Sequence, residues 1–146
     1  MKSLFRSIVL AGGMVVVAGA HYASAQIIGS VEFTTSFPFT VGNTTVPAGS
    51  YTITPVDEDA QVLELSGAQT AVLFATESAE PKQTPSKDEI VFRHYGNGYV
   101  LKNVWEAGSN IGYVTQTALG ERHLSKRGGT STESRVAARR IASNSK

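Results

Sequence analysis

Residues 37–53 read FPFTVGNTTVPAGSYTI, and this stretch decides the fold. Phe37, Phe39 and Val41 alternate with Pro38 and Thr40, a period of two that puts the three apolar side chains on one face of a strand. Gly42-Asn43 supplies turn chemistry, because both residues tolerate positive φ. Val46-Pro47-Ala48-Gly49 is a second break, since proline fixes φ and offers no N–H. Tyr51 and Ile53 then alternate with Ser50, Thr52 and Thr54, which reads as another strand entering the core. Pro38 marks the first of these strands as an edge or a bulged strand. Two strands with one apolar face are marginal alone, so other strands must cover them.

The flanking sequence supplies them. Ile27 to Phe33 reads as a strand with Val31 and Phe33 on one face. Asp57-Glu58-Asp59 reads as a solvated hairpin tip, and Val62 to Ser66 as a short strand turned back at Gly67-Ala68-Gln69. Ala71 to Thr76 is nearly continuously apolar, the mark of a more buried strand. Glu77 to Lys87 has two prolines and no large apolar residue, and reads as the longest and most mobile loop. Ile90–Tyr95 and Tyr99–Trp105 form a hairpin about Gly96-Asn97-Gly98. In its second strand Tyr99, Leu101 and Trp105 face one way and Val100, Lys102 and Val104 the other, with Asn103 interrupting the first face. Ile111 to Ala118 is the last clear strand. The fold expected is all-β, an antiparallel sandwich or small closed barrel of about seven or eight strands. A lipid-spanning barrel would need roughly 9 to 11 residues per strand, more than several of these stretches hold.

The two ends differ from this body. Lys2 and Arg6, the apolar run from Ile8 to Ala18 and the small-x-small Ala23-Ser24-Ala25 form a signal-peptide pattern over residues 1–25, with Gln26 as the new N-terminus. Removing 25 of the 146 residues leaves 121, one domain with a single core. The expected division is a signal peptide at 1–25, a β domain at 26–120 and a basic tail at 121–146. Export, to the periplasm or beyond, follows from the signal pattern, and the manner of the cleavage site suggests a bacterial source. The chain has no cysteine, which removes disulfides, thiolate ligands and a cysteine nucleophile. Charge is uneven: residues 26–120 carry ten acidic residues and only Lys82, Lys87, Arg93 and Lys102, whereas residues 121–146 carry seven basic residues against Glu121 and Glu133. Thr130-x-x-Glu133 has capping-box spacing, so a weak helix over Ser131 to Ala142 or a loosely ordered tail is expected.

Chemistry-bearing patterns are sparse. No Gly-x-Ser-x-Gly occurs, and Gly96-x-Gly98 lies in a hairpin rather than between a strand and a helix. Past residue 25 the histidines are His94 and His123, a poor zinc set without cysteine. No catalytic residue, metal site or cofactor is expected. The strand aromatics Tyr51, Tyr95, Tyr99, Trp105 and Tyr113 read first as core. Tyr95 and Tyr99, flanking the turn, and His94 beside them are the candidate ligand-binding residues. Arg135, Arg139 and Arg140 are the candidate contacts for an anionic polymer.

Four segments together carry a resemblance: FPFTVGN at 37–43, PAGSYTI at 47–53, VFRHYG at 91–96 and YVLKNVW at 99–105. With the signal pattern, they resemble small exported bacterial β-domain proteins of acidobacterial type, with a Pro-Ala-Gly-x-Tyr motif and no assigned activity. The resemblance implies an exported β domain and transfers no catalytic residue.

The functional expectation is a non-enzymatic exported β domain with a binding or assembly role in the cell envelope. Its partners would be a second copy or an envelope component at the Pro38 edge strand, or an anionic polymer at the tail. Nucleic acid is not expected, nor a membrane span once the signal is removed. The alternatives are a small hydrolase-like enzyme with a site on the Glu77–Lys87 side and His94 as general base, or a carrier holding an apolar ligand in an interior cavity.

Overall fold

The computed structural model describes residues 29–96, 98–116, 121, 126 and 130–141. The expected signal peptide at 1–25 lies outside the described residues, as does Asn97 of the expected turn.

Among the described residues ten strands follow one another: β1 (Val31–Thr35), β2 (Phe39–Val41), β3 (Thr44–Val46), β4 (Gly49–Pro55), β5 (Val62–Gly67), β6 (Ala71–Ala79), β7 (Glu89–Tyr95), β8 (Gly98–Trp105), β9 (Gly112–Thr115) and β10 (Ser131–Arg140). Eight of them close into an antiparallel barrel in the order β1-β4-β5-β6-β9-β8-β7-β10, with β10 returning to β1. The architecture is the closed-barrel form of the all-β fold expected from sequence. Closure leaves these eight strands with hydrogen-bonded neighbours on both sides and removes the exposed edges of an open sheet.

Alternation decides what fills the barrel. Phe33, Ile53, Leu63, Leu65, Ile90, Phe92 and Leu101 are at most 2% exposed. Their neighbours along each strand, such as Glu32, Thr52, Glu64 and Arg93, lie on the outer wall. Burial of each large apolar side chain contributes about 1.5–3 kcal/mol.

The organising stretch closes one mouth of the barrel. The β2–β3 hairpin turns at Gly42, whose φ of 57° suits glycine. The Phe39 ring meets Tyr51 at 5.4 Å, Phe92 at 5.0 Å and Phe33 at 6.2 Å between centroids. The hairpin thus reaches β1, β4 and β7, and Gly42 at its tip approaches Phe74 of β6. Thr40 pairs in parallel with Val100, on the edge of β8 that β9 uses at Asn103 and Val104. At the other mouth Arg140 bonds Asp88 at 2.9 Å and lies 3.7 Å from Glu106. Asp88 and Glu106 also accept the backbone N–H groups of Ala107 and Gly29.

Several expectations change. Residues Ser131–Arg140 are a strand, not a helix or a loose tail, and the barrel therefore continues past residue 120. Pairing with β7 over residues 131–137 and with β1 over residues 138–140 outweighs the capping-box signal, because it gives backbone hydrogen bonds and packing that an isolated short helix could not match. Between the expected turn at Gly42-Asn43 and the expected break beginning at Val46 lies a further strand, β3, whose Thr44, Thr45 and Val46 pair with Val41, Thr40 and Phe39. β6 is buried on one face alone, and Leu73 on its outer face is 61% exposed. β6 runs on to Ala79, which shortens the loop that follows.

Candidate binding cleft

The cleft begins with a β-bulge. Val91 pairs with Asn103 and Phe92 with Leu101, so Lys102 is an extra residue on β8. An extra residue breaks the period of two and re-aims the side chains beyond it. Leu101 and Val104 both face the interior and are fully buried. Asn103 and Trp105, which strict alternation from Leu101 would send inward, line the outer wall instead. This overturns the expected grouping of Trp105 with Leu101.

Four adjacent strands form the floor. Arg135 of β10 pairs with Val91 of β7, Val91 with Asn103 of β8, and Asn103 with Val114 of β9. The row spans three strand spacings, about 14 Å. Glu89 and Trp105 pair in the neighbouring row. The segment from Glu80 to Ser86 folds over this floor as a roof, held where the Gly108 N–H donates to the Pro85 carbonyl at 2.9 Å. Pro81 and Pro85 restrict its backbone and reduce the entropy that a bound ligand would have to remove. The cleft is open to solvent and has a volume of about 780 Å³, within the range of roughly 300–1,000 Å³ usual for small-molecule sites.

Trp105 rests on Gly112, where any Cβ would meet the indole at 1.9 Å. Only glycine allows that approach. Arg135 donates to Glu89 at 3.2 Å and to Glu133 at 3.3 Å. Partial burial works to lower the Arg135 pKa, but the hydrogen bond and charge of Glu89, together with Glu133, outweigh it and raise it. The Asn103 carboxamide makes no hydrogen bond to another described residue and lines the cleft.

A second polar cluster lies farther along the outer wall. Glu121, 3% exposed, accepts from the Tyr95 hydroxyl at 2.9 Å and from Lys102 at 3.4 Å, with Arg93 at 3.9 Å. The bulge thus also aims Lys102 at a buried carboxylate. Burial raises the Tyr95 pKa, and the hydrogen bond to Tyr95 is the largest cause of the raised Arg93 pKa. Among the described residues these three partners hold Glu121 against the wall.

The structure separates the residues singled out from sequence. Tyr95 is buried at 6%, not exposed beside the turn, because its hydroxyl is committed to Glu121. His94 stacks on Tyr99 at 4.3 Å, and Tyr99 on Phe37 at 3.9 Å, a three-ring column near the capped mouth. His94 makes no hydrogen bond to a carboxylate among the described residues, and it does not line the cleft. It is five positions along β7 from Glu89, about 17 Å of strand. Arg135, Arg139 and Arg140 are each ion-paired, with Glu89 and Glu133, with Glu32 at 2.6 Å, and with Asp88 and Glu106 respectively. Among the described residues no group of three or more histidine, aspartate or glutamate side chains is placed to hold a metal ion.

Comparison with protein-family models, with curated proteins and with solved structures finds no match to this chain. Its chemistry is therefore read from the cleft itself. Trp105 was grouped with the core aromatics, and the one signal of its true side was the polar Asn103 breaking an otherwise apolar face.

Proposed function

We propose that this protein is an exported, non-enzymatic binding module that engages an envelope component in the cleft beneath the Glu80–Ser86 segment. The observation that carries the reading is the Asn103 carboxamide, without a hydrogen-bond partner among the described residues, beside Trp105 on a floor shared by four strands and under a proline-braced roof. A preorganised concave site with one flat aromatic and a few convergent polar groups suits binding. The buried acids Glu89, Glu106 and Glu121 are already engaged with cations or N–H donors, which supports a non-catalytic role. The charges on the outer wall, with Glu32, Arg93, Glu133 and Arg139 among them, are the reverse of the apolar band of a lipid-spanning barrel. The signal pattern at residues 1–25 supports export.

Trp105 is the only tryptophan of the chain, so its emission reports directly on the cleft. Titrating purified protein with soluble envelope extract should give a saturable emission change. Asn103→Phe, which removes the carboxamide and crowds the floor beside Trp105, should abolish the change while far-ultraviolet circular dichroism stays the same. An unchanged emission at saturating extract would refute the reading.

Self-association is a second reading, but not at the expected Pro38 strand, because β2 is flanked by β3 and β8; the terminal strand of the sheet is β3, with Thr44 and Thr45 exposed. Concentration-dependent sedimentation that is removed by Thr45→Pro would support it.

A further inference from the structure

We infer that the ligand of the cleft is a neutral saccharide chain, an assignment that rests on the cleft being the binding site. Trp105 lines the cleft and is held in place by Gly112. An indole offers a flat apolar face with a polar N–H at its edge, which complements the C–H face of a pyranose ring. Asn103 beside it offers a donor and an acceptor together, and a sugar hydroxyl requires both. The roof repeats this dual capacity in Gln83, Thr84 and Ser86.

Charge separates the saccharide from other ligand classes. Glu80, Glu89 and Glu133 line the cleft together with Lys82 and Arg135, one more negative group than positive. Arg135 is already bonded to two of the acids. A polyanion would meet a net negative lining, and Arg135, the guanidinium lining the cleft among the described residues, is already engaged. An apolar ligand would strip water from the Asn103 amide and the roof hydroxyls without replacing those hydrogen bonds. A polyhydroxylated neutral chain meets neither cost. The four-strand row of about 14 Å is longer than one pyranose ring, so the site fits a chain rather than a monosaccharide.

The test is a Trp105 emission titration with four neutral oligosaccharides, xylohexaose, mannohexaose, cellopentaose and hexa-N-acetylchitohexaose, beside hexaglutamate as the anionic probe and decanoate as the apolar one. At least one neutral oligosaccharide should give a saturable change. Asn103→Ala should weaken that binding about five- to tenfold with an unchanged melting temperature, the expected loss for one or two hydrogen bonds. A response to hexaglutamate, decanoate or envelope extract with none to the oligosaccharides would overturn the saccharide assignment and leave the cleft as the site. Silence toward the oligosaccharides and the extract alike would overturn both. Oligosaccharide binding that Asn103→Ala leaves undiminished would also overturn the assignment, because the sugar would then sit elsewhere.

Discussion

The indole of Trp105 lies on the α-carbon of Gly112, so close that a methyl group there would sit 1.9 Å from Cε3 and 2.2 Å from Cζ3. A glycine inside a strand ordinarily weakens it. Here it sets the position of the aromatic group that lines the cleft.

Gly112→Ala should therefore do two things at once. It should destabilise the barrel by about 1–3 kcal/mol, the usual cost of overpacking. It should also lift the indole toward water and move the emission to longer wavelength. A thermal melt and an emission spectrum check both, and a variant matching the parent in each would show that the ring does not need the glycine.

The bulge supplies a second prediction. Lys102 and Glu121 meet at 3.4 Å with side chains 10% and 4% exposed. Lys102→Met keeps the aliphatic stem and removes the charge. It should cost about 3 kcal/mol in urea unfolding, the low end for breaking a buried pair, because Arg93 and the Tyr95 hydroxyl still face the carboxylate. Adding Glu121→Gln should recover part of that loss. Equal stability of parent and Lys102→Met would mean that water already screens the pair.

Glu106 predicts a pH dependence of definite sign. Burial raises its pKa above 4.5, more than the Arg140 charge and the Gly29 N–H lower it, and Asp88 raises it further. The folded state therefore holds the Glu106 proton to higher pH than the unfolded chain does. Its contribution is complete below about 4.5 and is lost as pH rises through the folded value. Melting temperatures of the parent and Glu106→Gln should diverge over that interval, with the parent losing ground as pH rises. A parent that gains relative to the variant over the same interval would reverse the assignment.

Much of the barrel was legible where one side of a strand is apolar and the other polar. Phe39 and Val41, Tyr51 and Ile53, and Leu63 and Leu65 alternate cleanly and are all buried. β10 was not legible in this way, because its inward residues Ser134, Val136 and Ala138 are small and its ends are polar. Its strand character comes from partners distant in the chain, such as Glu89 for Arg135 and Glu32 for Arg139, and no local pattern announces them. β6 misled for the opposite reason, since Leu73 is apolar yet faces outward. The cleft was hidden by a single inserted residue. Lys102 reverses the side on which Asn103 and Trp105 emerge, and a reading by strict alternation sends Trp105 to the wrong wall.

Amide hydrogen exchange along Ser131–Arg140 tests barrel closure most directly. β10 pairs with β7 over residues 131–137 and with β1 over residues 138–140, so its ladder-bonded amides should exchange as slowly as those of β4 and β5. Exchange at the rate of an unstructured chain across this segment, with β4 and β5 still protected, would contradict the closed barrel. It would also remove the wall that brings Glu133 and Arg135 to the cleft.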